Sequence, residues 1–226
     1  GLTAIQMAAD RIRVGEAEVM IAGGVESMSM VPMSGNKPSF NPAVFLRDEN
    51  VGIAYGMGMT AERVAQQWKV TREAQDEFAL QSHLKALKAI EAGEFSNEIT
   101  PVDLIDRSPN LQTGEVVSKA RTAAVDEGPR ADTTLEALAR LRPVFAAKGS
   151  VTAGNSSQTS DGAGCLILAS AQAIKTFNLQ PLARFVSFAN RGVPPEIMGI
   201  GPIEAVPAAL RYAGLQQKDI DWIELN

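Results

Sequence analysis

The chain has 226 residues, 45% hydrophobic and 21% charged, with a formal net charge of −5, a balance that suits a folded globular protein and leaves no basic footprint for nucleic acid. One cysteine excludes an intrachain disulfide framework, and one histidine removes most histidine-based metal schemes. No apolar run approaches the roughly 20 residues of a membrane-spanning helix.

The chain opens on a helical pattern. Between Leu2 and Val14, the residues Ile5, Ala8, Ala9 and Ile12 recur at three- and four-residue spacing, and Gly15 follows as a C-terminal stop. Val19–Ala22 then reads as a buried strand that runs into a turn at Gly23-Gly24. Residues 29–60 change character. Pro32, Pro38 and Pro42 interrupt the pattern, and Met28, Met30, Met33, Met57 and Met59 stand in or beside it. Flexible thioethers suit a surface that receives a flexible apolar chain, or they fill irregular gaps under a loop. Two helices follow, the first expected to start at Thr60 and the second at Thr71 with Glu73 and Asp76 near its positive end. Leu80, Leu84, Leu87 and Ile90 form the stripe of the second helix, Gly93 ends it, and His83 is read as a structural or exposed member of it.

"FSNEITPVDLID" is expected to form a strand, and 106–131 a polar loop. "TTLEALARLRPVF" reads as a short helix capped by Thr133 with Glu136 and ended by Pro143. A small-residue loop, "VTAGNSSQTSDGAGC", leads into a strand at Gly164–Ala169 and a helix at Ala171–Phe177. "PLARFVSFANRG" and the closing "DIDWIELN" read as strands. Between them lies a helix with Pro202 at its start, Gly214 at its end and a kink expected at Pro207. The first helix lacks an N-cap and the last strand stops where another element would follow. The chain is therefore expected to be an internal piece of a longer protein. Helix alternating with strand gives an α/β fold class.

Five stretches, "AGGVESMSMVP", "GMTAERVA", "VTAGNSSQTSDGAG", "GIGPIEAVPAAL" and "IELN", occur in the order and spacing of one family across the whole chain. Together they resemble the thiolases, the acyl-CoA acyltransferases. The resemblance implies a layered αβαβα fold, here incomplete, with a large loop-rich inserted domain. It divides the chain into 1–28 with 160–178 as parts of an N-terminal domain, 29–159 as the inserted coenzyme A-binding domain, and 179–226 as the start of a C-terminal domain. The activity it implies is thiolysis of a 3-ketoacyl-CoA by CoA, with CoA as substrate, no other cofactor and no metal. The family's nucleophilic Cys would precede Gly1, and its histidine and second Cys would follow Asn226, so residues 1–226 alone are expected to be inactive. Gly56 stands where many acetoacetyl-CoA-type members carry His, which favours longer acyl chains over the biosynthetic alternative.

Residue by residue, the resemblance sets Ala153, Ser156 and Ser157 against the pantetheine arm, where small side chains let an extended amide chain approach the backbone and hydroxyls supply hydrogen bonds. It sets Met57 and Met198 beside the acyl-thioester cavity, Arg130 near the CoA nucleotide, and Asn226 on an oxyanion-hole water. It also implies a homodimer or homotetramer and a cytoplasmic setting. Two other classes compete. A cysteine hydrolase on Cys165 needs a histidine in reach, and only His83 exists; Cys165 is otherwise read as a small core residue. A non-catalytic acyl-CoA or lipid carrier on the same fold would lack the nucleophile ahead of Gly1.

Overall fold

The computed structural model describes residues 1–33 and 35–226; residue 34, within the 29–60 stretch, lies outside the described residues. In chain order the elements are α1 (Leu2–Arg13), β1 (Val19–Glu26), α2 (Met57–Trp68), α3 (Arg72–Glu91), β2 (Val102–Pro109), β3 (Val116–Ala123), α4 (Leu135–Ala139), β4 (Gly162–Ala169), α5 (Ala171–Thr176) and α6 (Gly201–Ala213). Short 3₁₀ turns lie at Pro42–Phe45, Asp48–Ala54, Pro195–Ile200 and Gln217–Asp219. The chain divides into two units: Gly1–Lys69 with Thr159–Asn226, and Val70–Gln158.

In the first unit, β1 pairs antiparallel with β4, from Val19 opposite Ala169 to Glu26 opposite Gly162, and α1 packs on this pair. The strand does not stop at Gly23-Gly24, as the sequence suggests; it continues through them. A Cβ at Gly23 would lie 3.3 Å from the Gly164 carbonyl oxygen, so the missing side chain serves close approach of two backbones. The buried apolar residues of this unit are mostly alanines, Ala8, Ala9, Ala22, Ala65, Ala173 and Ala208 among them. Longer apolar side chains such as Ile21 (70% exposed) and Ile167 (69% exposed) stand on faces that the described residues do not cover.

Helices α1, α3 and α6 each end on a glycine with positive φ, at Gly15, Gly93 and Gly214, as the sequence indicates. Each has the paired carbonyl capping of a Schellman end; for α1 the amides of Gly15 and Glu16 reach the carbonyls of Ile12 and Arg11. Helix α2 starts earlier than expected, with Gly56 at its N-cap. Thr60 is buried inside the helix, its hydroxyl donating to the Met57 carbonyl at 2.8 Å. Helix α6 continues past Pro207 as one helix, Gly201–Ala213, which Pro207 leaves one backbone hydrogen bond short. The 181–192 and 219–226 stretches, read as strands, form none. Apolar composition alone makes no ladder; a strand also needs backbone hydrogen bonds to a partner. Instead, the Val186 carbonyl accepts from Arg13 at 3.3 Å and the Ser187 hydroxyl donates to the Ala209 carbonyl at 2.9 Å.

In the second unit, Thr71 caps α3 as expected, its hydroxyl oxygen accepting from the Ala74 amide at 3.2 Å. The cap of α4 is Thr134, one residue later than expected, accepting from Ala137 at 3.1 Å. The expected strand at 95–106 begins only at Val102, and the expected loop at 106–131 holds a β2–β3 hairpin with Pro109 opposite Val116. Its pattern was not apolar because cross-strand polar pairs hold it. Arg121 Nε donates to Asp106 at 2.9 Å, and the Thr122 hydroxyl to Asp103 at 2.7 Å.

Candidate functional site

The 150–158 turn is built from side chains that bond backbone. Thr152 is fully buried. Its amide donates to Asn155 Oδ1 at 2.7 Å, its Oγ1 accepts from the Gly154 amide at 3.2 Å, and its carbonyl accepts from the Ser156 hydroxyl at 2.6 Å. A Cβ at Gly154 would meet Leu141 Cδ1 at 2.5 Å and Leu138 Cδ2 at 2.6 Å, so only glycine fits under those leucines without displacing them.

Beneath the turn lies an ion pair between the buried Asp76 and the partly buried Arg72. Asp76, 4% exposed, accepts from Arg72 Nε at 2.7 Å and from Asn155 Nδ2 at 2.9 Å. Arg72 Nη2 also donates to the carbonyls of Leu138 and Leu141. Asn155 Nδ2 donates to the Ser150 carbonyl at 3.1 Å, and Gln75 Nε2 to the Ser150 hydroxyl at 2.8 Å. The outer side of the turn carries Ala153, Ser156 and Ser157, all exposed. The Ser156 hydroxyl is turned in to the Thr152 carbonyl, which leaves the small Ala153 side chain and the Ser157 hydroxyl to meet an extended chain at little steric cost.

Arg130 belongs to the same unit. A Cβ at Gly128 would fall 2.7 Å from Gln158 Nε2, so the Gly128–Arg130 segment runs beside the end of the turn. The exposed Arg130 guanidinium forks onto Asp132 at 3.2 and 3.0 Å. That pairing raises the Arg130 pKa and holds the Asp132 carboxyl below its ordinary value, through hydrogen bonds first and charge second. The Arg130 amide donates to His83 Nδ1 at 3.2 Å, which gives the partly buried His83 a structural task.

The other sequence-derived residues lie in the first unit. Met57 opens α2 and Met198 lies in the 195–200 turn; both are about half exposed, at 53% and 44%. Their elements pack together, with the Gly199 Cβ position 3.5 Å from Val64 Cγ2. Asn226 is exposed and lies in neither helix nor strand. Cys165 is not the core residue the sequence suggests: it is exposed on β4, opposite Gly23. Two strands with α1 on them leave that face open, as a shallow cleft of about 420 Å³ lined by Gly1, Leu2, Ile5, Ala22 and Cys165 among others. At the end of the same ladder, Asp161 accepts from the hydroxyl and amide of Ser29, and these bonds, the hydroxyl's foremost, hold its carboxyl below the ordinary range.

The sequence pointed to the outer face of the turn and missed its support. Arg72 and Asp76 stand four apart on one helix face, an ion-pair spacing visible in the sequence. Nothing local links them to Asn155.

Residues 1–172 match the family model "Thiolase, N-terminal domain", and residues 179–226 match "Thiolase, C-terminal domain". The chain belongs to the thiolase family. It is 46% identical over 226 residues to a Bacillus subtilis protein named 3-ketoacyl-CoA thiolase, covering all of this chain and 57% of the relative. Among solved thiolases, the dimeric peroxisomal thiolase of Saccharomyces cerevisiae superposes with a TM-score of 0.80 at 39% identity, over 98% of this chain and 54% of that one. Human mitochondrial 3-ketoacyl-CoA thiolase in complex with CoA superposes with a TM-score of 0.77 at 40% identity, over 98% of this chain and 55% of that one. The chain thus spans little more than half the length of these thiolases. Its fold is an α/β thiolase-like fold, and no helix among the described residues is long and apolar enough to cross a membrane.

Proposed function

We propose that the 151–157 turn receives the pantetheine arm of coenzyme A, as part of an acyl-CoA acyltransferase that cleaves a 3-ketoacyl-CoA with CoA to acyl-CoA and acetyl-CoA. The observation that carries this reading is the turn itself, held from below by the buried Thr152 and Asp76, with Ala153 and Ser157 exposed on it and Ser156 exposed but its hydroxyl turned in to the Thr152 carbonyl. An extended amide chain needs hydrogen-bonding groups that already point outward, so that little order is lost on binding. The Ser157 hydroxyl donates to its neighbour's carbonyl, Gln158 O, at 3.1 Å, an exposed contact that a ligand amide readily replaces. Arg130, beside the end of the turn, is assigned to the nucleotide, where a guanidinium pairs with phosphate or stacks on adenine. Its bond to Asp132 is exposed and worth little, so exchanging partners costs little.

In thiolysis a cysteine thiolate takes the acyl group as a thioester, and an oxyanion hole stabilises the tetrahedral intermediate before CoA accepts the acyl group. Cys165 is not assigned as that thiolate, and His83, already an acceptor for the Arg130 amide, is not assigned as a base. The 226 residues by themselves are therefore expected to show no thiolysis. Met57 and Met198 are assigned to the acyl-thioester side and Asn226 to an oxyanion-hole water. CoA enters as a substrate, and no further cofactor or metal is invoked. The finer reading of the fold is a layered αβαβα core with a loop-rich insertion. A homodimer or homotetramer in the cytoplasm and a preference for longer acyl chains, from Gly56, complete it.

The test is titration calorimetry of the chain with CoA. Unsubstituted protein is expected to bind, and Ser157→Phe to weaken binding by about ten-fold or more by filling the turn's outer face. Unchanged affinity in Ser157→Phe removes the pantetheine assignment.

A further inference from the structure

We propose that Arg72 and Asp76 are positioning residues for coenzyme binding, acting through Asn155 to hold the 151–157 turn in its binding shape. The inference rests on the coenzyme reading of that turn. Asp76 is 4% exposed, so it acts on a surface ligand through its neighbours and not by contact. Its carboxylate takes two donors, Arg72 Nε and Asn155 Nδ2. Asn155 passes the constraint on, with its Oδ1 fixing the Thr152 amide and its Nδ2 the Ser150 carbonyl. Arg72 extends the constraint to the end of α4 through the carbonyls of Leu138 and Leu141, and the side chains of those same leucines close over Gly154. One ion pair thus fixes the turn from below by hydrogen bonds and from the side by packing. A mobile turn would have to be ordered by each arriving ligand, and that ordering would be subtracted from affinity. Helix α3 is a rigid, capped base for the pair, through the Thr71 hydroxyl.

The pair would affect the pantetheine arm and spare the nucleotide. Titration calorimetry therefore uses two probes: CoA, and adenosine 3′,5′-bisphosphate, which lacks the arm. In Asp76→Asn, CoA affinity is expected to fall about ten-fold while bisphosphate affinity stays at the unsubstituted value. Amide exchange of Thr152 should accelerate while α3 amides at 81–90 keep their protection, which shows that the variant is folded. If Asp76→Asn proves unfolded, Arg72→Lys keeps the charge, loses the forked geometry and is held to the same criteria. Unchanged CoA affinity in the folded variant overturns the proposal. Equal weakening of both probes also overturns it, because that is the signature of a general structural role. No CoA binding by unsubstituted protein overturns the coenzyme reading itself, and the positioning role with it.

Discussion

The loop "VTAGNSSQTSDGAGC" contains two regions of nearly the same composition that are held in place differently. Residues 151–157 are ordered by side chains: Thr152, Asn155 and Ser156 bond backbone groups of their own turn, and Asn155 is anchored to Asp76. Residues 162–165 are ordered by backbone, paired with 23–26 in the β1–β4 ladder, where small residues only clear the way. Small-residue composition signals close approach in both. Which atoms supply the order decides which substitutions the region tolerates.

The largest expected effect breaks the first mode. Asp76→Ala leaves the Arg72 guanidinium without its carboxylate and releases Asn155, so a loss of about 3 kcal/mol is expected, measured by urea unfolding. Its counterpart breaks the second mode. Gly23→Val places a branched side chain where a single Cβ already lies 3.3 Å from a carbonyl oxygen, and a cost of about 1–3 kcal/mol is expected by the same measurement. If the two were interchangeable in kind, Gly23→Val would also accelerate Thr152 amide exchange, and it should not. A smaller effect concerns the base of the turn: Thr71→Ala removes the α3 cap and should cost about 1 kcal/mol.

Asp161 sharpens the contrast through pH. Its folded-state pKa lies below the ordinary carboxylate value because of Ser29. Its stabilisation is therefore present above about pH 4 and is lost as pH falls through the lowered folded value. Below about pH 4, the melting temperature should drop more steeply in the unsubstituted chain than in Asp161→Asn. The smallest effect is at Cys165→Ser. An exposed strand residue with no assigned part in the chemistry should change stability by less than about 0.5 kcal/mol and leave CoA affinity unchanged.

Local decisions were legible in the sequence. Gly15, Gly93 and Gly214 end helices because each must take positive φ, and Thr71 caps α3 through its own hydroxyl. Decisions that need a distant partner were not. The 181–192 stretch has the composition of a strand and is paired in no ladder, and the β2–β3 hairpin is paired without an apolar alternation. Cys165 follows a glycine-rich loop into an apolar run, which reads as core; exposure depends on what covers the sheet, and sequence does not state that. At the candidate site the exposed residues Ala153, Ser156 and Ser157 carried a recognisable pattern. Their support, Arg72–Asp76–Asn155, joins segments by hydrogen bonds that local spacing cannot reveal.

The Asp76–Asn155 bond spans 79 positions, which has a kinetic consequence. A contact of that sequence separation forms only after the entropy of closing the intervening chain has been overcome. Helix α3 with its cap can form locally and early, whereas the turn at 151–157 has no fixed shape until α3 and α4 have docked. In refolding experiments the Thr152 amide is therefore expected to gain protection after the α3 amides, making the proposed coenzyme turn one of the last parts of its unit to mature.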